Sequence, residues 1–495
     1  MKKRVFLAWL VILSLVLAAC GGGGAAPEPA QPAQQEQPAA EEAAAEEAPA
    51  EEAAEEAPTE EAAEEESAEE AAPAVGGVSE LRILWAQWDP ADYLQEIGNL
   101  YEEETGIKVT VVQEPWGSFY DRAFTEFAAG GDSWDMIVGD SQWLGQAATQ
   151  GHYIEITDFL VSNGIDQTVT PATLTYYGEY PTGSGTYWAY PTEGDADGWA
   201  YRMDLFEDPD EMAAFEAEYG YALGVPETWE QLMDIAKFFT RPDEGLYGAA
   251  IYTQKDYDAI TMGYENVMFS YGARWQDPET NEVLGIVNSP EAIAALEYYR
   301  ELYQCCSPPG LGNAFFQETN DAFINGQVAM AMNYFAFFPA LASEAINPNA
   351  ATTGYFANPA GPNGDRHAAL GGQGLSIISY ISEERQEAAK EFIRWFAQEE
   401  IQMEWALLGG YTCNINVLQS EEFLEVAPFN AAFAETMEIV MDFWNIPVFG
   451  QLLEVTQREL SGYIVPADVS DTAEEVLNRM AEEHDQILRD NGFIQ

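Results

Sequence analysis

Trp88, Trp116 and Trp143 fall in three short segments, 86–89, 113–117 and 139–143, that also carry Gln87, Asp140 and Gln142. A flat ring beside planar acceptors and donors suits a polyhydroxylated ligand. Its C–H face packs on the aromatic surface, and its hydroxyls exchange hydrogen bonds with carboxylate and amide groups in a dry cleft. Core packing competes for every tryptophan in a chain that has 13 of them. Trp229, Trp395 and Trp405 lie on apolar helical faces and are assigned to the core, whereas Trp88, Trp116 and Trp143 sit where strands end.

Constellations for catalysis are few. Histidine occurs only at 152, 367 and 484, with no His-Glu-x-x-His, no Gly-x-Ser-x-Gly and no Gly-Lys phosphate loop. Paired carboxylates could cleave glycosides, but residues 80–495 hold 68 Asp and Glu, so chance pairs are certain and carry no information. Glu193, Asp195, Asp197 and Asp204, with Gly198 sixth, copy the spacing of a calcium loop. The run departs from it with Glu first, Asp last and no helix before it. We read these carboxylates as reaching a ligand at a crossing between two lobes, with no metal and no cofactor.

The elements that position these residues follow from the pattern. A buried-strand run at 81–85, a helical segment at 89–105, a strand at 108–112, a helix near 119–129, a strand at 135–138 and a helix at 141–149 alternate as β-α-β. That order predicts parallel sheets flanked by helices, with ligands beyond the carboxyl ends of the strands. Thr228 with Gln231 three residues on reads as a helix start. Helical patterns also fit 289–304, 383–398 and 472–488, and Gly371-Gly372-Gln373-Gly374 before an apolar run predicts a close backbone approach or a crossing between lobes.

Composition bounds the rest. The 495 residues carry 85 Asp and Glu against 19 Lys and Arg, a net charge of −66, with 47% hydrophobic residues. Residues 21–79 contribute 17 Glu and no cation, so residues 80–495 still stand at −52. Such a surface repels phosphate backbones and anionic headgroups, which argues against nucleic acid and against electrostatic attachment to lipid. The body exceeds the size at which one core stops growing, so two lobes are expected.

Met1-Lys2-Lys3-Arg4 precedes an apolar run to Ala19, too short to cross a bilayer as a helix, and Leu17-Ala18-Ala19-Cys20 follows. This resembles the lipobox of bacterial lipoproteins, which implies cleavage before Cys20 and a diacylglycerol on it; two acyl chains anchor stably. Residues 21–79, Ala/Glu/Pro-rich and free of aromatics, predict a disordered tether reaching on the order of 190 Å when stretched. Of the remaining cysteines, Cys413 with either Cys305 or Cys306 is compatible with an oxidising exterior, and the sequence does not decide the pairing.

From residue 80 onward the chain resembles the family 1 extracellular solute-binding proteins, the sugar-capturing subunits of bacterial ABC importers. The resemblance rests on Thr105-Gly-Ile-Lys-Val109, Trp134-Asp-Met-Ile-Val138, Gly151-His-Tyr-Ile-Glu-Ile-Thr-Asp158, Pro226-Glu-Thr-Trp-Glu230, Phe323-Ile-Asn-Gly-Gln-Val-Ala-Met-Ala331 and Gly371-Gly-Gln-Gly-Leu-Ser-Ile377, in that order. It implies a hinged, two-lobe α/β fold like that of maltose-binding protein, with residues 80–193 and 375–430 in one lobe and 194–374 and 431–495 in the other. It further implies a ligand-closed cleft, a membrane permease as partner, no enzymatic activity, and a monomer held outside the cytoplasm by its lipid. Carried over by position, the first lobe would supply Gln87, Trp88, Asp140, Gln142 and Trp143, with Trp116 added on strand-end geometry. Asp197, Trp199 and Gln373 would lie at the hinge; Glu265, Trp275 and Tyr334 would come from the second lobe, and Phe443 or Trp444 would close the cleft. A glycoside-cleaving lipoprotein and an adhesive surface protein are the competing readings.

Overall fold

The computed structural model describes residues 77–255 and 258–495. The export run, Cys20 and all but the end of the tether lie outside the described residues. Strands in the described part are β1 (Glu80–Ala86), β2 (Lys108–Glu114), β3 (Met136–Asp140), β4 (Tyr190–Glu193), β5 (Asp197–Arg202), β6 (Tyr247–Ala250), β7 (Val328–Tyr334), β8 (Thr353–Ala357), β9 (Ala368–Ala369), β10 (Gln373–Ile377) and β11 (Val440–Met441).

Local chemistry accounts for the first helix, Asp89–Thr105. Pro90 opens it, Asp89 and Asp92 complement the positive end of its dipole, and Ala91, Leu94, Ile97, Gly98 and Tyr101 form the buried stripe. It stops at Gly106, whose φ of 74° is left-handed and whose N–H returns to Glu102 O. The expected starts at Thr228 and Thr472 are real caps, with their side chains accepting from Gln231 N and Glu475 N.

Two sheets hold the core. The first has the order β2-β1-β3-β10-β4 and the second β6-β7-β5-β8, while β9 and β11 pair as a parallel ribbon. The sheets are mixed, which corrects the expectation of parallel ones: β10 runs antiparallel to β3 and β4, and β5 antiparallel to β7 and β8. The reason is where the chain enters. Gln373, the first residue of β10, pairs with Asp140, the last of β3, and Asp197, the first of β5, pairs with Tyr334, the last of β7. A segment arriving from the other sheet enters at the end where its neighbours finish, so no helical crossover reverses it.

Only residues 194–196 separate β4 of the first sheet from β5 of the second, and only 370–372 separate the ribbon strand β9 from β10. These two passages are bonded together: Ala196 bridges Leu370, and Gly371 N donates to Asp195 O at 3.0 Å. A Cβ on Gly371 would overlap the Tyr334 ring, and one on Gly372 would overlap Tyr177, so both glycines serve the close approach expected of them.

Cys305 and Cys306 are joined to each other, and Cys413 is free and buried. This corrects the pairing expected for Cys413, which packs instead among Gly194 and Tyr177 in the core, where burial pushes its thiol up.

Candidate binding site

The strand ends of both sheets converge on one cleft of about 350 Å³. Its first wall is Trp88, Trp116, Gly117, Asp140, Ser141 and Gln142; its second is Gln254, Asp258, Phe315, Phe316, Tyr334 and Phe337. The floor is Asp195, Leu370, Gly371 and Gln373 from the crossing passages, and Phe443 closes the rim.

Helix starts aim much of the first wall. Ser141 and Gln142 open the helix Ser141–Thr149 directly after β3, and Trp116 opens Trp116–Ala128 directly after Pro115. Trp88 caps the first helix and makes edge contacts with Trp85 at 5.6 Å and Trp116 at 5.4 Å. Gln373 accepts a hydrogen bond from the indole N–H of buried Trp85. Across the gap, Gln142 Nε2 donates to Asp258 Oδ2 at 3.3 Å, so one hydrogen bond joins the two walls.

Three polar atoms on these walls have no hydrogen-bond partner among the described residues: Asp258 Oδ1, the Tyr334 hydroxyl and Trp88 Nε1. Asp258 is 5% exposed. Polar atoms placed this way usually meet a ligand or water, because leaving them unpaired costs about 1–3 kcal/mol each.

Trp88, Trp116, Asp140, Gln142, Tyr334 and Gln373 line the cleft. The other expected residues lie elsewhere. Gln87 is exposed in a shallow groove with Asp92 and Gln113, because successive residues of an extended chain point to opposite sides and Trp88 takes the inward one. Trp143 follows Gln142 on the helix but turns about 100° further round, into a core of Phe119, Tyr120 and Phe124 at 4.9, 5.2 and 6.2 Å. Asp197 and Trp199 belong to β5, an interior strand covered on both sides. Asp197 accepts from Asn266 Nδ2 at 2.7 Å, and Trp199 stacks on Phe356 and donates to Asn358 Oδ1.

Glu265 lies seven residues along the helix from Asp258, about 10 Å from the cleft end, and accepts from Trp275 Nε1 at 2.8 Å. Trp275 packs on Trp444 at 4.8 Å, and Trp444 packs on His484, forming an aromatic layer behind the cleft while neighbouring Phe443 faces it.

Reading the sequence missed Gly117, Ser141, Gln254, Asp258, Phe315, Phe316, Phe337, Leu370 and Gly371. Asp195, read with its Glu-x-Asp-x-Asp run as a carboxylate of the crossing, stands on the cleft floor, whereas Asp197 two residues on does not line it. Among the described residues no group of three or more carboxylate, His or Cys side chains is arranged to hold a metal ion, and Asp204 pairs with Arg202.

Buried carboxyls surround the cleft. Desolvation raises Asp258, Glu265, Glu193 and Asp195 well above the usual carboxylate range, and carries Asp197 and Asp442 to about 8. Their mutual repulsion adds to the rise, as between Asp258 and Asp140.

A model of the bacterial extracellular solute-binding proteins matches residues 87–403. A probable ABC transporter-binding protein of Deinococcus radiodurans is 25% identical over 344 residues, 68% of this chain and 76% of that protein. The mannitol-binding protein of Pseudomonas aeruginosa is 27% identical over 30% of each chain. Two crystal structures share the fold with TM-scores of 0.69: a solute-binding protein of Agrobacterium radiobacter K84 in complex with ribitol and the maltose-bound MalE3 of T. maritima. They are 22% and 23% identical, covering 84% and 83% of this chain and 100% of each of theirs. A family match across more than half the chain, on a two-lobe α/β fold whose strand ends meet at one cleft, places this chain among the bacterial extracellular solute-binding proteins.

Proposed function

We propose that the protein captures a sugar or polyol between its lobes and presents it, unaltered, to the permease of an ABC importer. The observation that carries this reading is the cleft wall, where Trp88, Trp116 and Tyr334 stand beside Asp140, Gln142, Asp258 and Gln373. Rings pack the C–H face of a sugar and the planar groups take its hydroxyls. The volume of about 350 Å³ lies at the small end of ligand pockets, which favours a monosaccharide, an acyclic polyol or a disaccharide. The ribitol, maltose and mannitol relatives support the same class of ligand.

Residues 80–193 with 375–430 would move as one lobe and 194–374 with 431–495 as the other, hinged at the two short crossings and at a third passage near 425–435. Lipid on Cys20 and the acidic segment after it would hold a monomeric body outside the cytoplasm, within reach of the permease. Among the described residues no helix is long and apolar enough to cross a membrane.

Thermal shift against a panel of sugars and polyols tests this directly. A true ligand at 100 times its Kd stabilises the protein by about 2.7 kcal/mol. Release of new reducing ends from oligosaccharides would instead mark a hydrolase.

A further inference from the structure

Asp140, Asp195 and Asp258 all stand in the cleft, and among the described residues no Lys, Arg or His lines it. Glu193, Asp197, Glu265 and Asp442 are buried close behind them. Arg274, half-buried in this region, turns away: its guanidinium donates to the carbonyls of Ala273 and Phe269 and lies over the Phe269 ring.

The carboxylates differ in how they are held. Asp195 Oδ1 accepts from Ala196 N at 2.9 Å and Ala336 N at 3.2 Å. Asp258 has one oxygen on Gln142, while the other, Oδ1, has no partner among the described residues although the residue is 95% buried on the cleft wall. The same cleft carries the rings of Trp88, Trp116, Phe315, Phe316, Tyr334 and Phe337. A neutral hydroxyl can donate one hydrogen bond to that oxygen but brings no charge to set against the carboxyls around it. An ammonium donates and also offsets the charge, and the aromatic faces attract it further.

We propose that the ligand is an amino sugar: a saccharide whose protonated amine meets Asp258 Oδ1 while its ring packs on the aromatic wall. This rests on the carbohydrate reading above and narrows its ligand class. Burial first, and repulsion from Asp140, Asp197 and Asp442 after it, favour the protonated form of Asp258 in the empty protein, whereas an ammonium beside it favours the carboxylate.

Calorimetry on matched pairs tests the proposal: glucosamine with glucose, galactosamine with galactose, and deacetylated chitobiose with cellobiose, at pH 7.5 in two buffers of different ionisation enthalpy. The amine member of the recognised pair should bind at least about tenfold more tightly, the scale of one charge-assisted hydrogen bond. It alone should exchange protons with the buffer on binding. Asp258→Asn should erase the preference, and Asp258→Glu should keep it. Should Asp258→Asn fail to fold, the wild-type comparison stands by itself. Equal or tighter binding of the neutral members overturns the proposal and leaves the carbohydrate reading standing. Binding of spermidine with no saccharide of either kind overturns the carbohydrate reading, and the amino sugar with it.

Discussion

The two walls of the cleft are built by different rules. The first is local: Trp88, Trp116, Asp140, Ser141 and Gln142 all lie within a few residues of the ends of β1, β2 and β3. The second gathers Asp258 from a helix start, Phe315 and Phe316 from a loop running into a helix, and Tyr334 and Phe337 from the end of β7. Tyr334 and Phe337 after β7, and Gln254 after β6, follow the rule that serves the first wall. Residues near the site in sequence, such as Trp199, Glu265 and Trp275, instead build the core that holds the second wall in place.

Separating wall from core is the comparison's largest measurable consequence. Trp199 is fully buried, stacked on Phe356 and crossed by Trp229 at 6.1 Å. Trp199→Ala should therefore cost about 3–5 kcal/mol of stability in chemical denaturation. Ligand affinity of the protein that remains folded should stay within a factor of about 3 of wild type, an effect below 1 kcal/mol. A large loss of affinity with little loss of stability would move Trp199 from core to site.

Next in size is the contribution of each wall to binding. Trp116→Ala and Tyr334→Ala each remove one ring from opposite sides, and each should weaken the bound sugar by about 2 kcal/mol, or roughly thirtyfold. Similar losses would mean that both lobes grip the ligand. A loss confined to Trp116→Ala would mean that the second wall only covers the cleft. Titration calorimetry with the recognised sugar reads both.

How much was legible in the sequence follows the same division. β1, β2, β3 and the helices between them could be read almost to their ends because apolar periodicity, Gly106 as a stop and the strand-end position of Asp140 are local signals. The antiparallel entry of β5 and β10 was not legible, since it depends on where a long excursion returns. Within the site, Trp143 and Gln142 are neighbours in sequence, yet the rotation of about 100° between successive helical residues sends them to different environments. Asp258 left one signal that went unread: an acid placed directly before the fully buried helix Ala259–Ser270, with its side chain capping nothing. Phe337 left another, in the aromatic run 334–338 that follows β7 at the same kind of strand end as Trp88.

Buried acids behind the walls give a pH signature of their own. Asp197 faces Asn266, with Asp195 and Tyr252 nearby, and Asp442 faces Ser141, Asp140 and the Phe443 N–H; both titrate near 8 in the folded protein. An acid whose folded pKa is raised binds more protons folded than unfolded between its two pKa values. Stability is then greatest below the unfolded value near 4 and falls as pH rises towards 8. The ligand-free protein should melt several degrees lower at pH 8 than at pH 5, and added salt should leave most of the difference because the groups are buried. A melting temperature that rises over this range would mean that these carboxyls are ionised and paired.

The smallest expected effect concerns a hydrogen bond that joins the walls. Gln142 Nε2 reaches Asp258 Oδ2 from the opposite side of the cleft at 3.3 Å, a long and therefore weak contact. It can hold the lobes together only marginally, by about 1 kcal/mol. Gln142→Ala should shift the ligand-free population towards the open form by about fivefold, the factor that energy sets. Small-angle scattering without ligand should then give a larger radius of gyration, and saturating ligand should restore the wild-type value. If ligand-free scattering is unchanged, closure is held by apolar contact between the walls, and the Gln142–Asp258 bond is a consequence of closure, with no part in driving it.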